Sequence, residues 1–250
     1  MNEVVLATRG LERRFGGLRA LDGVSIECRS GEVHAVIGPN GAGKSTLVNV
    51  LSGDLAPSAG SMHFRDKDIT GLPAHRISRL GVGRSYQKTN VFQNFSAFEN
   101  CRLAAQSMLG TSMRFFRPAS AYRDVSEAAQ QALAQVGLEA RAADPVSTLS
   151  HGEQRQVEIA MTLAARPKLL LLDEPLAGMG ADETARIVEL LDRLARDHAI
   201  LLIEHDMDAV FTLATRLTVL VNGAVLESGA PHQVRASRAV QEAYLGELSH

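Results

Sequence analysis

No apolar stretch in this sequence approaches the roughly 18 residues that a membrane-spanning helix needs. The longest, such as 169–172 and Ala199–Ile203, have the length of buried strands. The N-terminus, Met1-Asn2-Glu3-Val4-Val5-Leu6, lacks a basic stretch followed by a long apolar one, so no signal peptide is expected. Only two cysteines occur, Cys28 and Cys101, far apart in the chain. They make no metal-ligand pair and read as small apolar residues in a reducing compartment. Basic residues number 26 against 28 acidic ones, a formal net charge of −2. That leaves no cationic surplus to neutralise a phosphate backbone, so nucleic acid is not expected as a partner. Internal repeats and low-complexity segments are missing as well. These absences point to a soluble, cytoplasmic chain that borrows any membrane role from a partner.

What is present suits a large α/β domain. The chain has 250 residues, 45% hydrophobic and 22% charged, enough to bury a sizeable core without a disulfide or metal staple. Short β-like runs at 4–7, 24–28 and 62–64 fill the first quarter, with turn chemistry at Ser30-Gly31 and Pro57-Ser58-Ala59-Gly60. Val33–Ile37 is a short apolar strand, followed by a glycine-rich loop and a helix over 46–51. From about 93 to 165 the periodicity is helical. Ala129, Ala132, Leu133 and Val136 recur at i, i+3, i+4 and i+7, with Gly137 placed to stop the helix, and Val157, Ala160, Met161 and Ala164 repeat the spacing. The core resumes with a buried strand at 169–172, an amphipathic helix carrying Ile187, Leu190, Leu191 and Leu194, and a second buried strand, Ala199–Ile203. Asn222-Gly223 marks a hairpin between 218–221 and 224–227. Buried apolar strands alternating with helices predict a mainly parallel sheet covered on both faces. The patch Arg-Phe-Phe-Arg-Pro at 114–118 falls inside the helical stretch.

Gly38-Pro39-Asn40-Gly41-Ala42-Gly43-Lys44-Ser45 fits G-x-x-x-x-G-K-[ST] in the strand–loop–helix context that the motif requires. Glycines let the backbone curl so that successive N–H groups point at phosphate oxygens, and the helix beginning near Thr46 offers its positive end to the same anion. Lys44 would place a charge between the β- and γ-phosphates, and the Ser45 hydroxyl would ligate Mg²⁺. The loop by itself specifies nucleotide binding only. Asp173 and Glu174 end the buried strand at 169–172, where ligands gather in an open parallel sheet. Asp173 is placed to hold the Mg²⁺ shell and Glu174 to polarise an attacking water as general base.

Leu149-Ser150-His151-Gly152-Glu153-Gln154 resembles the signature of ATP-binding-cassette (ABC) proteins, usually written LSGGQ. The resemblance covers essentially the whole chain. It implies a P-loop NTPase core of RecA-like type over 1–92 and 166–250, with an N-terminal antiparallel β subdomain and an inserted helical subdomain over 93–165. It also implies ATP and Mg²⁺ as cofactors, and two chains head to tail with two ATP between them, each signature meeting the γ-phosphate held by the other chain. Ser150 and Gly152 are the expected contacts there, with Glu153 beside them. His151 and Glu153 depart from the usual wording, and His151 is assigned no role. Gln87 matches the Q-loop glutamine that reaches Mg²⁺ or the attacking water. His205 matches the switch histidine at the γ-phosphate, and Phe15 the aromatic that stacks on adenine. Ala177-Gly178-Met179-Gly180 occupies the D-loop place in the dimer seam without the common SALD wording.

Within ABC proteins the chain is similar to the ATPase subunits of branched-chain amino acid importers and the related urea and amide importers. The residues that carry this are Glu174-Pro175-Leu176-Ala177-Gly178-Met179, Glu204-His205-Asp206-Met207-Asp208-Ala209-Val210, the tail Glu242-Ala243-Tyr244-Leu245-Gly246, and an extended segment at 108–122. The likeness implies transmembrane permease subunits, a solute-binding protein acting through them, and a peripheral position on the cytoplasmic face of the membrane. Phe92, Phe95 and Phe98 either line the permease cleft or pack the base of the helical lobe. The alternatives are the ATPase of a lipid or lipopolysaccharide exporter, a soluble ABC protein of nucleic-acid or ribosome metabolism, and a nucleotide-binding regulator without turnover. Intact Glu174 and His205 argue against the last.

Overall fold

A computed structural model describes residues 3–85, 91–108 and 123–245. The chain begins with strands β1 (Val4–Phe15), β2 (Leu18–Val24), β3 (Glu27–Arg29) and β4 (Val33–Ile37), followed by helix α1 (Lys44–Leu51). Strands β5 (Ala59–Phe64) and β6 (Lys67–Asp68), helix α2 (Ala74–Leu80) and strand β7 (Val82–Arg84) lead into three helices, α3 (Ala97–Ser107), α4 (Arg123–Val136) and α5 (His151–Ala164). The remainder alternates: β8 (Leu169–Asp173), α6 (Ala181–Ala195), β9 (Ala199–Ile203), α7 (Met207–Leu213), β10 (Arg216–Val221), β11 (Ala224–Gly229), α8 (Pro231–Ala236) and α9 (Arg238–Leu245).

Among the described residues these strands form two sheets. The larger runs β11-β10-β4-β9-β8-β7, parallel throughout except for the β10–β11 hairpin. Every residue of β4, β8 and β9 is buried, because one face of β8 and β9 packs against α5 and α6 and the other against α1 and the strands β1, β2 and β5. That is why these strands read in sequence as almost wholly apolar runs, His34 and the terminal Asp173 being the exceptions. The register sets Asp173 beside Ile203 and Val36 beside Ile203's other flank, so the ends of β4, β8 and β9 lie together. The smaller, antiparallel sheet is built on β1, which pairs with β2, β3 and β5.

Two strand expectations in the first quarter need correction. The run at 24–28 is divided between β2 and β3. Between them the Ile26 N–H donates to the Thr8 hydroxyl (3.0 Å) and the Gly10 N–H to the Ser25 hydroxyl (2.9 Å), so side chains interrupt the ladder. Ala59-Gly60, expected in a turn, belongs to β5. Gly60 has φ +85, and a Cβ there would lie 2.3 Å from the Gly10 carbonyl oxygen. It marks the register shift between Arg9 and Glu12, a bulge that two backbones can make only where no side chain intervenes.

The helical lobe is built from α3, α4 and α5. Val125, Ala128, Ala129, Ala132, Leu133 and Val136 form the buried stripe of α4, and Gly137 ends it at φ +77. Both α3 and α5 open on a capping box, Ser96 with Glu99 and Ser150 with Glu153. No helix among the described residues is long and apolar enough to cross a membrane. Residues 109–122, which hold the Arg-Phe-Phe-Arg-Pro patch, and Gln87 lie outside the described residues.

Candidate nucleotide-binding site

Three glycines shape the loop between β4 and α1: Gly38 at φ +153, Gly41 at +77 and Gly43 at +103. A Cβ on Gly38 would stand 2.1 Å from the Leu220 carbonyl oxygen, and one on Gly43 2.4 Å from that of Ala20. The loop is therefore wedged between β10 and β2. Around Gly41 there is open space, so this stretch of backbone is accessible to a ligand. The β10–β11 turn braces the loop from behind, the Gly223 N–H donating to the Ala42 carbonyl (3.0 Å). Asn222 and Gly223, at φ +50 and +80, make that turn. Helix α1 begins without a side-chain cap and without an acidic residue in its first turn. Its N-terminal amides remain for an anion. The Lys44 ammonium donates to the carbonyls of Gly38 (2.6 Å) and Pro39 (2.9 Å), which holds it over the loop.

A cavity of about 500 Å³ lies in front of the loop, lined by residues 40–46 together with Phe15, Arg19, Glu174 and Asn222. The Phe15 ring is 44% exposed and carries the Arg13 guanidinium 4.6 Å from its centroid, so one face is covered. Loop, aromatic residue and acid strand thus converge on one space of nucleotide size.

Asp173 is buried at the end of β8. Burial raises its carboxyl above the ordinary range, opposed by the Arg84 guanidinium 3.8 Å away. Arg84 also bonds Asp54 (2.6 Å) and the Ser52 hydroxyl (2.7 Å). Glu174 adopts φ +50, a left-handed conformation that costs a non-glycine residue about 1–2 kcal/mol. Its N–H donates to Ile203 O at 2.9 Å. Immediately after β9 comes the buried Glu204, whose carboxylate accepts the N–H of Leu176 (2.8 Å) and of His205 (3.1 Å), and whose carboxyl is raised by burial. The His205 ring itself is exposed. A Ser45 hydroxyl and a buried Asp173 carboxylate are hard oxygen donors, the chemistry that Mg²⁺ selects.

The signature residues lie elsewhere. The Ser150 hydroxyl accepts the Glu153 N–H (3.2 Å), and the Glu153 carboxylate accepts the Ser150 N–H (2.8 Å) and pairs with Arg141 (2.9 Å). That carboxylate is engaged in capping the helix. The Gly152 N–H donates to the Glu183 carboxylate on α6 at 3.1 Å. Ser150, Gly152, Glu153 and Glu183 line a second cavity of about 450 Å³ that shares no residue with the first. His151 is exposed, its ring beside Gly178. Of the three phenylalanines before and in α3, Phe98 packs against the lobe's core, whereas Phe92 (56% exposed) and Phe95 (42%) stack on each other with centroids 5.4 Å apart. Sequence reasoning assigned no role to Arg84, Arg155, Glu183 or Glu204. Each acts through contacts with residues distant in the chain, so no local pattern marks them.

A buried parallel strand, a glycine loop on a helix N-terminus and an Asp-Glu pair at the end of a second strand define a P-loop nucleotide-binding fold. The ABC transporter family profile matches residues 21–177, and that of the branched-chain amino acid ATP-binding cassette transporters matches 224–248. The chain is 39% identical to the high-affinity branched-chain amino acid transport ATP-binding proteins LivG of Salmonella typhimurium and BraF of Pseudomonas aeruginosa. Each alignment covers 99% of this chain and 100% of the relative. A crystal structure of the ADP conformation of an ATP-binding cassette of an ABC transporter superimposes with TM-score 0.85 at 30% identity, covering 97% of this chain and 99% of that one. A nucleotide-free cassette gives 0.84 at 29%, covering 96% and 98%. The chain belongs to the ATP-binding subunits of the ABC transporter family.

Proposed function

We propose that the chain is the ATP-hydrolysing subunit of an importer for branched-chain amino acids or a related small polar solute. The observation that carries the ATPase reading is the convergence of the 38–45 loop, the α1 N-terminus, Phe15 and Glu174 on one cavity. The near full-length likeness to LivG and BraF supports the importer and its solute class.

ATP would lie with adenine on Phe15 and its phosphates on residues 38–46. Loop amides and Lys44 would stabilise the charge that builds up as the γ-phosphoryl group departs. Ser45 and Asp173, with Gln87, would hold Mg²⁺, which when bound neutralises phosphate charge. Glu174 takes a proton from the attacking water, a contribution typically worth about 10²–10⁴-fold, and His205 contacts the γ-phosphate from the end of β9. Because the signature faces a different cavity from the loop of its own chain, a second copy or a sister ATPase completes the site head to tail, presenting Ser150 and Gly152. Closure over two ATP and reopening after hydrolysis shift the helical lobes. The exposed Phe92–Phe95 pair offers an apolar seat for a permease segment on the cytoplasmic face of the membrane, and a solute-binding protein acts on the permeases from the other side.

Glu174→Gln tests the chemistry: ATP binding is retained and turnover collapses, and near-normal turnover would remove Glu174 from the role. Gentle solubilisation of native membranes with a tagged chain tests the setting. Two multi-span permeases and a second ATPase should co-purify; ribosomal or DNA-repair proteins instead would overturn the importer reading.

A further inference from the structure

Arg155 lies on α5, the helix whose N-terminus carries Ser150 and Gly152, and it is 4% exposed. Its Nε donates to the Pro175 carbonyl at 3.1 Å and its Nη2 to the Glu174 carbonyl at 2.8 Å, while Nη1 pairs with the buried Glu158 carboxylate. Glu174 is therefore held from both sides. Its N–H is fixed by Ile203 of β9, and its C=O by Arg155 of α5. Between these two bonds sits the left-handed backbone that sets where the carboxylate points.

We infer that Arg155, neutralised by Glu158, is a positioning residue for Glu174. The inference rests on Glu174 acting as the general base. A planar guanidinium is suited to the task because it presents several N–H groups in a fixed fork, where a lysine ammonium is a point charge. Stability alone does not account for the arrangement, since a buried ion pair is on the whole no better for stability than well-packed apolar residues of similar volume. What apolar residues cannot do is hold two consecutive carbonyls of a strained turn. The same rigid helix presents the signature, so displacement of α5 against β8 acts directly on the backbone of Glu174.

The test uses the full chain with MgATP. Arg155→Met combined with Glu158→Met removes both charges and leaves neither orphaned. Arg155→Lys keeps the charge beside Glu158 and loses the fork, and it decides the matter where the double variant does not fold. Both should bind a fluorescent ATP analogue as the wild type does while kcat falls about 10²-fold, the penalty of a displacement near 1 Å at a reacting group. A positioning role also requires non-additivity. In single-turnover measurements on a Glu174→Gln background, the Arg155 substitutions should add no further loss, whereas a merely structural role would multiply the two losses. Full kcat in Arg155→Lys and the double variant, or multiplied losses, overturns the inference and leaves the Glu174 assignment standing. Near-normal turnover of Glu174→Gln alone overturns both.

Discussion

Replacing Glu183 by glutamine should make ATP-driven pairing of two chains easier. Glu183 stands in the first turn of α6, and its carboxylate accepts the Gly152 N–H at 3.1 Å. The fit is close, since a Cβ on Gly152 would lie 2.9 Å from the same oxygen. In the proposed dimer that N–H goes to the γ-phosphate held by the facing chain, so a carboxylate must yield the position to another anion. If the displaced carboxylate remains about 4–5 Å from the phosphate, each unit of phosphate charge is repelled by about 1 kcal/mol in a water-like dielectric. Two equivalent sites give about 2 kcal/mol, or roughly 30-fold in the dimerisation constant. Glutamine keeps an acceptor for the Gly152 N–H and removes only the charge. The assay is sedimentation with ATP in a Glu174→Gln background, where hydrolysis does not reopen the dimer. Tighter pairing of Glu183→Gln at low salt, narrowing as salt is raised, is the expected result. Unchanged or weaker pairing would refute the reasoning and assign Glu183 to holding the signature in shape for the phosphate.

Two further outcomes follow from the same geometry. Gly38→Ala places a methyl group 2.1 Å from a backbone oxygen at a left-handed φ. It should cost about 1–3 kcal/mol in urea unfolding and abolish binding of a fluorescent ATP analogue; retained binding would show that the loop tolerates the shift. His34 is fully buried, its ring bonded to the Glu27 carbonyl (2.8 Å) and the Thr218 hydroxyl (2.7 Å). Burial, with a smaller push from Arg216 and against the hydrogen bond to Glu27, lowers its pKa from 6.5 to about 4. The unfolded chain then binds the extra proton between those values. Stability is full above pH 6.5 and falls as pH drops towards 4, by about 3 kcal/mol for this residue. The difference between wild type and His34→Gln in urea unfolding from pH 4 to 8 isolates it, and parallel curves would exclude the effect.

The parts of the molecule that could be read from the sequence are those whose physics is local. β4 and β9 span Val33–Ile37 and Ala199–Ile203, as their apolar runs predict, because a strand buried on both faces leaves no other pattern. Asn222-Gly223 marks its hairpin because a tight turn between twisted strands demands positive φ at both positions. Gly60 misleads for a related reason. Positive φ serves a bulge as well as a turn, and only the pairing of β1 with β5 separates the two. The phenylalanines at 92, 95 and 98 are alike in sequence, and packing alone divides the exposed pair from Phe98, which is partly buried against the lobe's core.

The candidate site divides along the same line, and Glu174 shows why. At Gly38, Gly41 and Gly43 the loop meets its need for unusual backbone angles with glycine, so the requirement is written into the residues themselves. Position 174 also needs a left-handed backbone, but it must carry a carboxylate if it is to take a proton, and glycine has none. The strain therefore has to be met from outside, by the Ile203 carbonyl on one side and the Arg155 guanidinium on the other. Neither partner is near in the chain, and neither residue type announces the task. The acid strand shows where chemistry can occur, while the bonds that aim the carboxylate become visible only when α5 and β9 are packed against it.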